Sequence, residues 1–338
     1  MREIFIPILL VIFSLTLSAC GTTEKKEVVV KEKNQESKII PKYNISGDYY
    51  RTIIPLNKQV LGGEVNQKTN SKIDVTRFEE GLFNIALKKY DKASHFLQRS
   101  EYIPQKEIQE LLKKQEVPYV SNVIEHDYFT KKDSNGLQLE GVIIGLAMTS
   151  DHSNEEAVVT ATEFSNNLLQ LIYNNKKFKN VPITFALFKQ EALTSTKSGT
   201  FISRTTVPKD QKNLGEWTTI NEKSFMYPSP DFQSTHTDDY KKLDDFTHSI
   251  KKFNLKDYYS INAFAIYKDN QLDKLTINTS IQYNGKSELI SFTQMATQFI
   301  LDIFPEYPNI RMIIKSDNQT EVVIIKEKNQ AEPFVSFL

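Results

Sequence analysis

Hydrophobic and polar positions along the chain fall into two runs of the same kind. In the first, YVSNVIEHDYF (Tyr119 to Phe129), a DSNG turn and LQLEGVIIGLAM (Leu137 to Met148) set β-branched and aromatic residues on both sides of an Asp/Asn turn, which predicts a β-hairpin. In the second, YYSINAFAIYK (Tyr258 to Lys268), a DNQ turn and LDKLTINTSIQY (Leu272 to Tyr283) predict another. Behind each hairpin the period changes. Ala161, Phe164, Leu168 and Ile172 recur at helical spacing, and so do Phe292, Met295, Phe299 and Ile303, each displaced from its counterpart by the same number of residues. That spacing places each set on one helical face. Alternation then returns in VPITFALF (Val181 to Phe188) and NIRMIIKS (Asn309 to Ser316), and a closing strand follows in each run, GTFISRT (Gly199 to Thr205) and TEVVIIKE (Thr320 to Glu327).

Both runs therefore read ββαββ. The predicted fold is of the α/β (α+β) class, a tandem repeat of two such units, each a mixed or antiparallel sheet with helices packed on it. Helical patterns at Val75 to Lys89, Lys106 to Gln115 and Tyr240 to Phe253 precede the hairpins. Between the runs, Val207 to His236 holds the sole tryptophan, Trp217, with Phe225, Met226 and Tyr227, and reads as a packed strap rather than a linker. The expected division is a leader at 1–19, a tether at 20–46, repeat domains at 47–206 and 237–338, and the strap at 207–236.

The N-terminus departs from both patterns. Ile4 to Leu17 is apolar behind a short segment containing Arg2. It is too short for a membrane-spanning helix, which needs about 20 residues, and it suits the hydrophobic region of a signal peptide. It ends in Leu17, Ser18, Ala19 and Cys20, and an aliphatic residue three places before a cysteine resembles a bacterial lipobox. That resemblance implies a diacylglyceryl thioether on Cys20 and cleavage after Ala19, with prolipoprotein diacylglyceryl transferase and signal peptidase II as processing partners. Gly21 carries no inner-membrane retention signal, so the expected location is the outer face of the cell membrane, held by lipid. Thr22 to Ser46, rich in Lys, Glu, Asn and Gln without a sustained period, reads as a solvated tether.

Composition narrows the function. The 338 residues include 21 Phe and 15 Tyr, enough to exclude a wholly disordered chain. Forty-two basic and forty-two acidic side chains balance, and no Lys/Arg block exceeds two residues, so the basic footprint of a nucleic-acid binder is missing. A single cysteine excludes an internal disulfide, a CxxC pair and a thiolate metal cluster.

The five histidines form no zinc spacing, and no GxSxG, Walker loop or GxGxxG occurs. Asp151, His152, Glu155 and Glu156 suggest acid–base chemistry, but Ser153-x-x-Glu156 reads as a helix-capping box, and Ser291-x-x-Gln294 as its counterpart in the second repeat. Thr235-x-x-Asp238, in the cluster His236, Thr237, Asp238 and Asp239, reads as a weaker cap. His126, between Glu125 and Asp127 on a predicted strand, reads as part of a solvated strand face. No catalytic constellation, metal site or cofactor site emerges; the expected covalent group is the acyl lipid on Cys20.

Five blocks in order carry a family resemblance: GDYYRTIIPL (Gly47 to Leu56), SNVIEHDYF (Ser121 to Phe129), GVIIGLAM (Gly141 to Met148), VPITFALFKQ (Val181 to Gln190) and GEWTTINEKSFMYPS (Gly215 to Ser229). Together they resemble the CamS family, sex-pheromone precursor lipoproteins of low-GC Gram-positive bacteria. The resemblance implies that the leader is a second product, trimmed after signal peptidase II cleavage to a short apolar mating peptide. On this chain the peptide is Phe13, Ser14, Leu15, Thr16, Leu17, Ser18 and Ala19, with Ser14 and Thr16 departing from a more uniformly aliphatic pattern. No enzymatic activity is implied for the mature part, which is read as a binding or interaction module, with the cleft between the repeats as the default site. Two other classes remain. An extracytoplasmic hydrolase would bring Asp151, Glu155 and Glu156 together with His126 or His152. A solute-binding lipoprotein of a transporter would alternate strands and helices, whereas hairpins dominate here.

Overall fold

The computed structural model describes residues 28–30, 38–43, 49–57, 70–132, 136–252, 260–328, 330 and 332–338. The leader with its lipobox and Cys20, the candidate peptide Phe13 to Ala19, and Asp133, Ser134 and Asn135 of the first predicted turn lie outside the described residues. In chain order the first half comprises β1 (Val28–Val30), β2 (Lys38–Ile40), β3 (Arg51–Thr52), β4 (Ser71–Lys72), α1 (Val75–Ala86), β5 (Phe96–Arg99), α2 (Gln105–Lys113), β6 (Val120–Lys132), β7 (Gly136–Met148), α3 (Asn154–Asn174), β8 (Ile183–Lys189), β9 (Glu191–Ala192), β10 (Thr200–Val207) and β11 (Thr218–Thr219). The second half comprises β12 (Glu222–Tyr227), α4 (Pro230–Thr235), α5 (Thr237–Lys252), β13 (Ser260–Lys268), β14 (Gln271–Ser280), α6 (Lys286–Ile303), β15 (Ile310–Ser316), β16 (Gln319–Lys326) and β17 (Phe334–Phe337).

Two large sheets result, ordered β11-β10-β8-β7-β6-β5-β3 and β12-β13-β14-β15-β16-β17, beside the two-stranded pairs β1-β2 and β4-β9. In the first, β6 and β7 form the hairpin, α3 crosses over so that β8 lies parallel to β7, and β10 returns antiparallel. The second repeats this arrangement with β13, β14, α6, β15 and β16. The ββαββ order expected from periodicity is thus present twice. The likeness also runs further: β5 and β12 each pair antiparallel with the first hairpin strand, and β11 and β17 each flank the closing strand. Val207 to His236 carries the last strand of one sheet and the first strand of the other.

The two sheets differ in what covers them. α3 buries Ala161, Phe164, Leu168 and Ile172 on one face of the first sheet, while α1 buries Phe78, Leu82, Ile85 and Ala86 on the other. α1 approaches so closely that a Cβ at Gly145 would lie 2.6 Å from the Phe78 ring, and one at Gly81 would lie 2.0 Å from Phe201. With both faces covered, Val120 to Phe129 is buried without a break, which departs from the solvated face expected at His126. The second sheet has α5 and α6 on one face only, so β13 and β14 alternate between buried and partly exposed residues.

Three further expectations are corrected. α6 begins at Lys286 behind Gly285; Ser291 sits inside the helix, its hydroxyl donating to the Ser287 carbonyl at 2.9 Å. The buried stripe of α6 is consequently Leu289, Phe292, Ala296 and Ile300, with Met295, Phe299 and Ile303 on its flank. Thr235 ends α4, a helix capped by Ser229 with Pro230 at its first position, instead of capping α5. Strand structure also reaches into the segment read as tether: β2 pairs with β1, Ile39 bridges Ile54, and Ile40 is buried in the first core.

Candidate functional site

The cleft between the repeats is built around α1. Its start is fixed by Asp74, whose Oδ1 accepts the Arg77 N–H at 2.9 Å and whose Oδ2 accepts the Ser198 hydroxyl at 3.1 Å. One side of α1 fills the first core. The other turns Glu80, Phe83, Asn84 and Leu87 toward the second sheet. There they meet Lys268, Asp273, Lys274, Asn309 and Arg311 around an open hollow of about 280 Å³. A smaller hollow of about 210 Å³ adjoins it, between α1, Arg204 and the Ile220–Asn221 junction.

Ion pairs hold the walls. Arg77 reaches from α1 to Glu222 on β12, and both side chains are buried, at 8% and 3% exposure. The same carboxylate oxygen accepts the Phe201 N–H at 3.1 Å, tying β10 to β12. Lys274 meets Glu80 at 3.2 Å across the cleft, Lys268 meets Asp273 at 2.7 Å on its floor, and Lys197 pairs with Asp231 at its side. Lys326 donates to the carbonyls of Pro305 and Tyr307 at 3.0 and 2.8 Å, and burial pushes its pKa down. The Arg311 side chain makes no hydrogen bond or ion pair among the described residues. The cleft thus offers a cation, apolar side chains and amides. No group of three His, Cys, Asp or Glu among the described residues is placed to hold a metal ion.

The residues singled out for acid–base chemistry do not converge. Ser153 and Glu156 form the capping box of α3, with Ser153 Oγ accepting the Glu156 N–H at 3.1 Å and Glu156 Oε2 accepting the Ser153 N–H at 2.8 Å. Those hydrogen bonds hold the Glu156 carboxyl below its ordinary value. Asp151 and Glu155 are exposed beside it, and His152 stacks on Tyr119 with ring centroids 3.7 Å apart. His126 sits elsewhere, under α1, with Nε2 3.2 Å from Glu79 Oε1 and its ring stacked on Phe83. In the second unit Asp239 accepts the hydroxyls of Tyr267 and Tyr307, and His236 stacks on Tyr267.

The strand stretch around His126, expected to be solvated, holds a closed acidic cluster instead. Glu125 and Asp127, two apart on β6 and fully buried, turn toward the loop after β5. Glu125 accepts the N–H groups of Tyr102 and Ile103 at 2.8 and 3.0 Å, and Asp127 accepts that of Glu101 at 3.1 Å. Burial pushes the Glu125 carboxyl up to about 7 despite those donors, and pushes Asp127 up as well, with the neighbouring Glu125 charge adding to it. Glu101 in turn pairs with Lys38 at 3.1 Å, so the loop also docks β2. Alternation around His126 could have flagged two acids sharing a face; that the face is closed depends on a loop far away in sequence.

A family model described as "CamS sex pheromone cAM373 precursor" matches residues 59–118 and 113–332. A crystal structure of "Sex pheromone staph-cAM373 precursor" is 48% identical over 84% of this chain and 99% of that one, with a TM-score of 0.53. A sex pheromone precursor from Lactobacillus salivarius subsp. salivarius UCC118 is 21% identical over 88% of this chain and 98% of that one, with a TM-score of 0.78, and has the same fold. The C-terminal domain of the staph-cAM373 precursor from Staphylococcus aureus, 23% identical over 78% of this chain and 96% of that one, gives 0.65. No curated protein matches the chain. No helix among the described residues is long and apolar enough to cross a membrane.

Proposed function

This chain belongs to the CamS sex pheromone cAM373 precursor family, and on that premise we propose that it is a lipid-anchored surface protein with two products. The observation that carries the reading is the sequence Leu17, Ser18, Ala19 and Cys20 at the end of an apolar leader, in a chain whose family match begins at residue 59. Cys20 takes the diacylglyceryl group, signal peptidase II cleaves after Ala19, and the residues Phe13 to Ala19 are trimmed from the leader and released as a peptide signal. Two acyl chains anchor the protein stably to the membrane where one would bind only reversibly. The mature part is a non-enzymatic binding module. The cleft between the repeats is its site, supported by the convergence there of an Arg311 side chain without a partner, the Asn309 side chain, whose Nδ2 also donates to the Asp273 carbonyl at 2.9 Å, and the apolar Phe83 and Leu87.

The released peptide is the product to look for. Mass spectrometry of culture supernatant is expected to find FSLTLSA from the wild type and not from a deletion strain. A wild-type supernatant without it would remove the signalling half of the reading.

A further inference from the structure

The internal repeat gives the second sheet a built-in comparison. Val142 lies beside Ile183 at the start of the parallel pair in the first unit, and Leu275 lies beside Ile310 in the second; all four face the crossover helix. Counting along from them, Ile143, Gly145 and Ala147 on β7 correspond to Thr276, Asn278 and Ser280 on β14. Likewise Thr184, Ala186 and Phe188 on β8 correspond to Arg311, Ile313 and Lys315 on β15. In the first unit this face lies beneath α1. In the second all six residues are partly exposed, and five of them are polar or charged.

The substitutions do not suit a missing helix. Covering Asn278, Arg311 and Lys315 with apolar side chains would strip them of water without replacing its hydrogen bonds. A plain solvent face does not fit either, because Phe264 on β13 and Val323 and Ile325 on β16 remain beside them, partly exposed and outside the core cluster of this unit. Asn278 donates to Asn262 at 3.3 Å, leaving the pair one further amide and one further carbonyl to offer. The side chains of Arg311 and Lys315 make no hydrogen bond or ion pair among the described residues. The neighbouring acids are engaged: Asp273 by Lys268, Glu80 by Lys274, and Glu321 by the Tyr283 hydroxyl.

We propose that this open face of the second sheet, running out of the cleft, binds an acidic oligosaccharide. Arg311 and Lys315 take its carboxylates, Asn262, Asn278 and Thr276 take its hydroxyls, and the Phe264 ring lies against the C–H face of a sugar ring. Charge selects the acid groups, while the ring and amides select the sugar. The inference rests on reading the mature part as a binding module, and it names the ligand class.

Calorimetric titration of the full-length chain in detergent with hexagalacturonate tests it, with the fully methyl-esterified hexamer and inorganic polyphosphate as comparison probes. Binding of the acidic hexamer is expected, weakened by at least about tenfold in Arg311→Ala or Lys315→Ala and also in Phe264→Leu. The double variant Lys251→Ala/Lys252→Ala, at the end of α5, is expected to bind as the wild type does. Failure of the acidic hexamer to bind, or equal binding of the ester, overturns the proposal. Equal binding of polyphosphate that is insensitive to Phe264→Leu reduces the face to charge alone and also overturns it. A concentration-dependent dimer abolished by Arg311→Ala would assign the face to a second copy instead. A chain that is anchored and releases its leader peptide yet ignores the hexamer would cost this inference and leave the proposed processing intact.

Discussion

Arg77→Ala is expected to lower the free energy of unfolding by about 3–5 kcal/mol, because it leaves a buried carboxylate without its cation. Glu222 is 3% exposed and takes both the Arg77 guanidinium and the Phe201 N–H on one oxygen. With arginine gone, that carboxylate is left in the junction without a cation, or the contact between α1, β10 and β12 breaks open. The pair joins the two units, so the loss should also uncouple them, and urea unfolding should separate into two transitions. The double variant Arg77→Met/Glu222→Gln removes both charges and keeps an acceptor for Phe201, so it should recover most of the loss. An Arg77→Ala protein within about 1 kcal/mol of wild type, as for an exposed pair, would contradict this account of the junction.

The second large effect is on pH dependence. In the unfolded chain Glu125 and Asp127 lose their protons near the ordinary values of 4.5 and 3.8, whereas in the fold both are pushed up, Glu125 to about 7. Between those limits the folded state holds more protons than the unfolded one, so stability falls as pH rises from about 4.5 to 7. His126 acts in the opposite sense. Burial lowers its pKa below 6.5, so the unfolded chain takes up its proton first, and stability is lost as pH falls through 6.5. Comparing wild type with Asp127→Asn at each pH cancels the histidine contribution. The variant keeps an oxygen for the Glu101 N–H and gives Glu125 an amide donor. Relative to wild type it should gain stability steadily as pH rises between about 5 and 8, because the acid it replaces is the one whose buried charge costs most there. Parallel stability profiles in urea titrations would contradict the shared burial of the two acids.

Much of this architecture is legible in the sequence because it rests on local periodicity. The hairpins, the crossover helices and the closing strands each declare themselves by period, and their recurrence predicts the repeat. What escapes depends on distant parts of the chain. β6 reads like β13 as a strand, yet it is closed on both faces because α1 and the loop after β5 return over it. That closure buries Glu125, His126 and Asp127, which no spacing reveals. The start of α6 is missed because Gly285 offers no side-chain cap, while Ser291 imitates one inside the helix. The cleft is expected in outline only: the residues that meet in it, Glu80 and Lys274 among them, are brought together by the packing of one unit on the other.

Intact-mass analysis of the N-terminal peptide from the membrane fraction tests the lipid anchor at Cys20. A mature chain beginning at Cys20 and carrying diacylglyceryl is expected, with Cys20→Ala remaining uncleaved and unlipidated. Wild-type protein without acyl chains, released into the supernatant from a different cleavage point, would contradict it.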